Sequence, residues 1–357
     1  MITQNDIKSR VEACLHPLTR QPLSAYKALH KVELSTNGIK LSIQLGYPVQ
    51  WDKATLEAAI AAELAVLTQL PITVEWLTAI PPYKVQTKTA PKSGIKNIIA
   101  VASGKGGVGK STIAANLALA LAQLNCRVGL LDADIYGPSI PTLFNTPEKA
   151  AVVNHKIQPI MRYGVQMISI GALIDADNPV IWRGPMVSGA LLQLLEETDW
   201  LPMDYLILDL PPGTGDIQLT MAQKLPVTAS VVVTTPQELA QIDATKAIAM
   251  MQKVQIPVLG IVENMHHFQC DHCDTKHLLF GEGAAATMAA KFDVPVLAQL
   301  PLTPEVQTLV EGMPAIVSDP DSKLALSYRE LALAVSRQLA LQARDYSANI
   351  PKIVLNK

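Results

Sequence analysis

Between Ile98 and Leu124 the chain passes from an apolar stretch, through Gly104-Lys105-Gly106-Gly107-Val108-Gly109-Lys110-Ser111, into an Ala- and Leu-rich stretch. Few folds accept that order. Four glycines in six positions free the backbone to turn left-handed and bare its N–H groups. A strand before them and a helix after them aim those groups, and the positive helix end, at one spot. Such a spot binds phosphate. The spacing Gly104-x4-Gly109-Lys110-Ser111 is that of a nucleotide phosphate loop. It predicts that Lys110 reaches the β- and γ-phosphates of ATP and that the Ser111 hydroxyl holds Mg²⁺.

Composition narrows the surroundings of that loop. The 357 residues are 49% apolar and 17% charged, which suits one large and one small folded domain. Aromatic residues are only 4%, so Leu, Ile, Val and Ala must build the core, as in parallel sheets buried under helices. The net charge of −2 offers no basic surplus for a nucleic-acid partner. The start, Met1–Asp6, has no basic and apolar run of an export signal. Apolar stretches fall short of a membrane span, so no membrane partner is expected. Four cysteines, Cys14, Cys126, Cys270 and Cys273, are too few for a disulfide framework and suit a reducing cytoplasm.

Residues 1–81 read as a small α+β domain. A helix is expected from Asp6 to Leu15. Paired strands are expected at His30–Ser35 and Ile39–Leu45, with a third at Thr73–Leu77. Asp52 is placed to cap a helix over Lys53–Thr68. Residues 82–96, with Lys84, Lys88, Lys92 and Lys96, read as a polar linker. From Asn97 on, apolar strands alternate with helical stretches. The strands are Ile98–Ala102, Val128–Leu131, Gln166–Ile170, Tyr205–Leu208, Ser230–Thr234 and Val258–Val262. The pattern predicts an α/β fold over 97–357, with a doubly wound, mostly parallel sheet and a last amphipathic helix over Ser322–Ala343.

Two further strand ends carry acids. Leu130-Leu131-Asp132-Ala133-Asp134 ends one strand, and Leu206-Ile207-Leu208-Asp209 ends another before Pro211-Pro212-Gly213-Thr214-Gly215-Asp216. Ligands of open α/β sheets sit beyond these strand ends. Asp209 is the candidate to hold Mg²⁺, and Asp134 to position the attacking water, with Asp132 in support. Either acid alone could instead cap a helix. Gly213-Thr214-Gly215 is a candidate switch loop that senses the γ-phosphate.

Cys270-Asp271-His272-Cys273 is a second chemical element. Two thiolates at this spacing can grip one metal centre, but zinc or an iron–sulfur cluster normally takes four ligands. A second copy of the chain across a two-fold axis would supply the other pair. Zinc with His266, His267, His272 or His277 is an alternative, as are a redox pair and two inert thiols. Cys14 and Cys126 read as small core residues.

The loop with its second lysine, Lys105, resembles the deviant phosphate loop of the MinD, ParA and nitrogenase iron protein families. That resemblance implies a lysine that crosses a dimer interface to the partner's nucleotide. The whole of 95–345 resembles the Mrp/ApbC family of iron–sulfur cluster carrier ATPases. The resemblance rests on Ser103–Thr112, on Asp132-Ala133-Asp134-Ile135-Tyr136-Gly137-Pro138-Ser139, and on Trp182-Arg183-Gly184-Pro185-Met186. It rests also on Asp209–Asp216 and on Glu263-Asn264-Met265 followed by Cys270-x-x-Cys273. It implies a nucleotide cradle of Gly104 to Thr112 and an adenine contact from Asn264. It implies a homodimer bridged by one cluster, a four-iron four-sulfur centre, on both Cys270–Cys273 pairs. It also implies slow ATP hydrolysis, exchange with a cluster assembly scaffold and transfer to apo-proteins. Residues 1–81 resemble the small iron–sulfur assembly module often fused in this family, without the cysteine many relatives carry near Leu45–Val49. The contrasting reading is a MinD- or ParA-like positioning ATPase with structural zinc at the cysteine pair.

Overall fold

The computed structural model describes residues 2–85, 92–134, 137–146, 148–172, 184–270, 272–273, 275–307, 309–310 and 313–345. Ile135, Tyr136, Trp182 and Arg183 of the expected signatures, with Lys88 of the expected linker, lie outside them. The chain divides into two compact units, 1–81 with 336–357, and 82–335. The second unit thus ends earlier than the expected 97–357, because the end of the last helix groups with the first unit.

The first unit is a three-stranded sheet with two helices. Helix α1 (Gln4–Ala13) begins before the expected Asp6 because Thr3 and Asp6 cap it reciprocally: Asp6 N–H donates to Thr3 Oγ1 at 3.2 Å and Thr3 N–H to Asp6 Oδ2 at 2.9 Å. Strands β1 (Leu29–Ser35) and β2 (Gly38–Ile43) form a hairpin across Thr36-Asn37, and β3 (Ile72–Trp76) joins β2 in parallel. Gly38 is required there, since a Cβ would come within 2.9 Å of the Pro71 carbonyl. Helix α2 (Lys53–Ala65) buries Leu56, Ile60 and Leu64, one apolar stripe at helical spacing.

Asp52 stands at the start of α2, but its side chain does not cap it. The carboxylate instead accepts from Arg337 at both oxygens, at 2.6 and 2.8 Å, and from the Tyr47 hydroxyl at 2.7 Å. Tyr47 in turn lies 2.7 Å from His16 Nε2, and His16 Nδ1 accepts from Leu18 N–H at 3.2 Å. Because Tyr47 spends its proton on Asp52, His16 must donate through Nε2. All four side chains are buried.

In the second unit nine described strands form one sheet. They are β4 (Ile95–Ser103), β5 (Val128–Asp132), β6 (Ile160–Arg162), β7 (Val165–Ser169), β8 (Met203–Asp209), β9 (Ala229–Thr234), β10 (Val258–Gln269), β11 (Lys276–His277) and β12 (Val296–Pro301). Their order is β11-β10-β9-β4-β8-β5-β7-β6, with β12 also on β10. All pairings are parallel except β6 with β7 and β10 with β11. Residues of β5, β7, β8 and β9 are buried on both faces, which is why these strands read as unbroken apolar runs. Helix α3 (Lys110–Gln123) is buried from Thr112 to Leu121 around its whole circumference. Helices α4 (Gly184–Glu197), α5 (Asp216–Lys224), α6 (Glu238–Lys253), α7 (Ala284–Phe292) and α8 (Lys323–Ala340) complete the unit, α8 running on into the first.

The expected linker is partly core. Tyr83 is buried, and its N–H donates to Asn97 Oδ1 at 2.9 Å. One aromatic among lysines left no periodic signal. No described helix is long and apolar enough to cross a membrane.

Candidate nucleotide site and cysteine hairpin

The phosphate loop joins the end of β4 to the start of α3. Gly107 and Gly109 have φ of 80° and 84°, the left-handed region that side chains strain to enter. Gly104 is glycine for a different reason: a Cβ would fall 2.0 Å from the backbone of Asp243, inside α6. Pairing across the sheet sets Asp209 beside Val101 on one side and beside Asp132 on the other. The two acidic strand ends therefore meet at the loop.

Lys110 is buried, and its ammonium donates to Asp209 Oδ1 at 2.5 Å and to Ser111 Oγ at 3.1 Å, with Asp134 Oδ2 at 3.8 Å. Asp132 accepts from Asp134 N–H at 3.1 Å and from the Ser169 hydroxyl at 3.0 Å. Burial, then the Asp209 charge, pushes the Asp132 carboxyl up to about 7. Burial also raises Asp209, against the pull of Lys110. Asp209 Oδ2 is buried and has no hydrogen-bond partner among the described residues. An unpartnered buried carboxylate oxygen, beside a hydroxyl and a nest of left-handed glycines, is what a bound Mg²⁺–nucleotide would satisfy. The Lys105 ammonium is half-buried and makes no hydrogen bond or ion pair among the described residues. Gly213 of the candidate switch donates its N–H to the Ser103 carbonyl at 2.9 Å, which ties that loop to the end of β4.

Residues 94–336 match the sequence profile of a ParA family described as the NUBPL iron-transfer P-loop NTPases. The chain belongs to that family. An iron-sulfur cluster carrier protein of Haemophilus influenzae is 44% identical over 346 residues, 95% of this chain and 93% of that one. Another, of Salmonella typhimurium, is 46% identical over 337 residues, 92% and 90% of the two chains. Among solved structures, a nucleotide-binding protein of Archaeoglobus fulgidus in complex with ADP aligns with a TM-score of 0.56 and 38% identity. The alignment covers 65% of this chain and 91% of that one. The resemblance read from the loop, the acids and the cysteine pair, and the doubly wound fold, both stand.

In this P-loop NTPase the cysteine pair sits on a hairpin. Strand β10 does not stop at Val262 as expected but runs to Gln269, because β12 and β11 supply backbone partners to its polar end. Cys270 N–H donates to the Thr275 carbonyl at 3.0 Å, closing the turn. Cys270 is partly exposed and Cys273 exposed, whereas Cys14 and Cys126 are buried. The Cys273 thiol donates to Thr275 Oγ1 at 3.2 Å. That hydroxyl, the Thr275 backbone and Cys270 hold the Cys273 thiol below its ordinary value. No group of three His, Cys, Asp or Glu able to hold a metal ion occurs among the described residues.

Between Glu263 and His267, four steps along β10 match only two along β12, Gln299 to Pro301. Met265, with φ of 56°, forms this bulge. The bulge turns Asn264 to the phosphate loop, where its amide donates to the Val108 carbonyl at 3.0 Å. Buried Glu263 pins the base of the bulge: it accepts from Ala285 N–H at 3.1 Å and Gln299 Nε2 at 2.8 Å, and lies 2.7 Å from His266 Nδ1. Sequence reasoning missed Glu263 and Ser169 as site-building residues. Only the strand register puts Ser169 beside Asp132.

Proposed function

We propose that this chain is an ATP-hydrolysing carrier that holds an iron–sulfur cluster on a homodimer and passes it to proteins that lack theirs. The observation that supports it best is one strand. β10 presses Asn264 on the phosphate loop and, six residues on, delivers Cys270. Nucleotide state and cluster ligand are thus joined by a short run of paired backbone. The relatives named iron-sulfur cluster carriers support the same reading.

In this reading the glycine backbone from Gly104 to Gly109, with Ser111 and Thr112, cradles the phosphates. Lys110 moves its ammonium from Asp209 to them. Ser111 and Asp209 Oδ2 hold Mg²⁺, which when bound neutralises charge on the phosphates. Asp134, with Asp132 behind it, orients the water. Lys105, which makes no hydrogen bond or ion pair among the described residues, reaches the nucleotide of the second copy, and Asn264 contacts the adenine edge. Turnover is slow, because the lysine arrives only on dimerisation. Each subunit offers two thiolates, Cys270 and Cys273, so a four-iron four-sulfur cluster takes two subunits. Residues 1–81 serve as a docking module for clients or a cluster scaffold, joined through 82–96 to the NTPase domain. The carrier works in the reducing cytoplasm, where thiolates stay available.

Anaerobic reconstitution tests this. The expected product is a brown dimer containing iron and sulfide, with the colour lost in Cys270→Ala or Cys273→Ala. Lys105→Ala is expected to keep ATP binding and lose turnover by at least tenfold. Full iron loading in both cysteine variants, or zinc alone in the wild type, would overturn the cluster assignment.

A further inference from the structure

Met265 holds a φ of 56° inside a strand, not in a turn. Asn and Asp can enter that region by bonding the nearby backbone, but a methionine side chain has no such local gain. A residue of this kind keeps its conformation only where the structure around it over-determines it. Something therefore has to hold the bulge of β10 in place.

Glu263, two residues before it, is fully buried and is placed to do so. Its Oε1 accepts from Ala285 N–H at 3.1 Å, and its Oε2 accepts from Gln299 Nε2 at 2.8 Å. His266 Nδ1 lies 2.7 Å from Oε2, which closes the bulge from its far side. Helix α7 is capped by Gly283, which has no side chain to offer, so Glu263 supplies the missing acceptor at the positive end of that helix. Ala285 and Met288 of α7 pack in turn with Ile261 of β10. One carboxylate thus fastens β10, β12 and α7 together at the bulge.

The residue between Glu263 and Met265 is Asn264, and it has little freedom. Its amide donates to the Val108 carbonyl at 3.0 Å, and a Cβ on Gly109 would fall 2.2 Å from its Nδ2. A small slip of the bulge would lift that amide off the phosphate loop. None of the partners of Glu263 belongs to that loop, so such a slip would leave the phosphate cradle itself in place.

We infer that Glu263 is a positioning residue for the nucleobase: by pinning the bulge it holds Asn264 at the base, and it contributes to nucleotide affinity only through Asn264. The inference rests on the adenine contact proposed above. It separates two parts of one ligand, a phosphate part held by the loop and a base part held by Glu263.

Calorimetric titration of cluster-free full-length protein with Mg²⁺–ATP, and with Mg²⁺ and inorganic tripolyphosphate, tests it, because tripolyphosphate has no base. Asn264→Ala should weaken ATP about tenfold, the effect of one lost hydrogen bond. Glu263→Met, which keeps the length and removes the acceptor, should weaken it by a similar factor. The double variant should again be about tenfold weaker, not a hundredfold, since both changes remove the same contact. Glu263→Gln, which keeps an acceptor for Ala285 N–H, should restore most of the affinity. Tripolyphosphate should bind within about twofold of wild type throughout, whereas a general loosening of the fold would weaken both ligands. Where Glu263→Met does not fold, the less buried His266 decides. His266→Leu should weaken ATP about threefold, and His266→Asn, whose amide can donate where Nδ1 did, should restore it. Unchanged ATP affinity in Glu263→Met and His266→Leu, equal losses for tripolyphosphate, or a hundredfold loss in the double variant would each overturn the positioning role while leaving the adenine contact standing. Unchanged ATP affinity in Asn264→Ala would sink the adenine contact, and the inference with it.

Discussion

Two of the charge clusters buried among the described residues are built on opposite plans. In the first unit, His16, Tyr47, Asp52 and Arg337 form a closed chain in which no buried side-chain atom lacks a partner. In the second, Asp132, Asp134 and Asp209 crowd one ammonium, Lys110, and an oxygen of Asp209 is left over. Burial alone would push the Asp52 carboxyl up, but hydrogen bonds from His16, Arg337 and Tyr47 outweigh it and hold the group well below the usual carboxylate range. At Asp132 burial and a neighbouring carboxylate win, and the group rises to about 7. Structural polarity and functional polarity can be told apart on this ground. A cluster that completes itself contributes to the fold, whereas one left incomplete keeps its capacity for a ligand.

The largest effect should come from opening the closed cluster. Arg337→Met leaves the Asp52 charge buried and unpaired, which costs about 3–5 kcal/mol. Denaturant unfolding of the full chain should show that loss, and added Mg²⁺–ATP should not change its size. A loss under 1 kcal/mol would mean the closed cluster is not structural. Asp209→Asn sharpens the other side. Turnover should fall by about a hundredfold or more, or roughly 3 kcal/mol of barrier. Folding stability should stay within about 1 kcal/mol, because the fold already disfavours the Asp209 charge. A stability loss as large as that of Arg337→Met would erase the distinction.

The smallest effect is in pH dependence, and the two clusters should bend it in opposite senses. Asp132 holds its proton in the folded state where the unfolded chain has lost it, so its contribution falls as pH rises from about 4 to about 7. Asp52 is the reverse, and its contribution is lost as pH drops below about 4. Without nucleotide, Asp132→Asn should flatten a decline of about 2–4 kcal/mol between pH 4 and 7, leaving the acid limb in place. An unchanged slope would show that Asp132 does not titrate in that range.

The open cluster was legible in the sequence because its parts lie in local patterns. Gly104 to Ser111 sits between a strand and a helix, and Asp132 and Asp209 each end an apolar run. Parallel pairing then brings strand ends to one edge without further instruction. The closed cluster was not legible. Asp52 and Arg337 are 285 residues apart, and the local pattern around Asp52 points to a helix cap. The polar end of β10 was hidden for a related reason. A strand that leaves the buried sheet loses its apolar run, and only its partners β11 and β12 reveal it. Tyr83 shows the same limit, a lone aromatic whose burial no periodicity announces.

Arg337 also sets an order of events during synthesis. The first 81 residues leave the ribosome early, with Asp52 already enclosed by His16 and Tyr47 but lacking its cation. That cation is made only after the entire nucleotide-binding stretch has been translated. The N-terminal unit, first to be written, is therefore among the last parts to become fully stable, and a chain interrupted before residue 337 should leave it marginal and open to proteolysis.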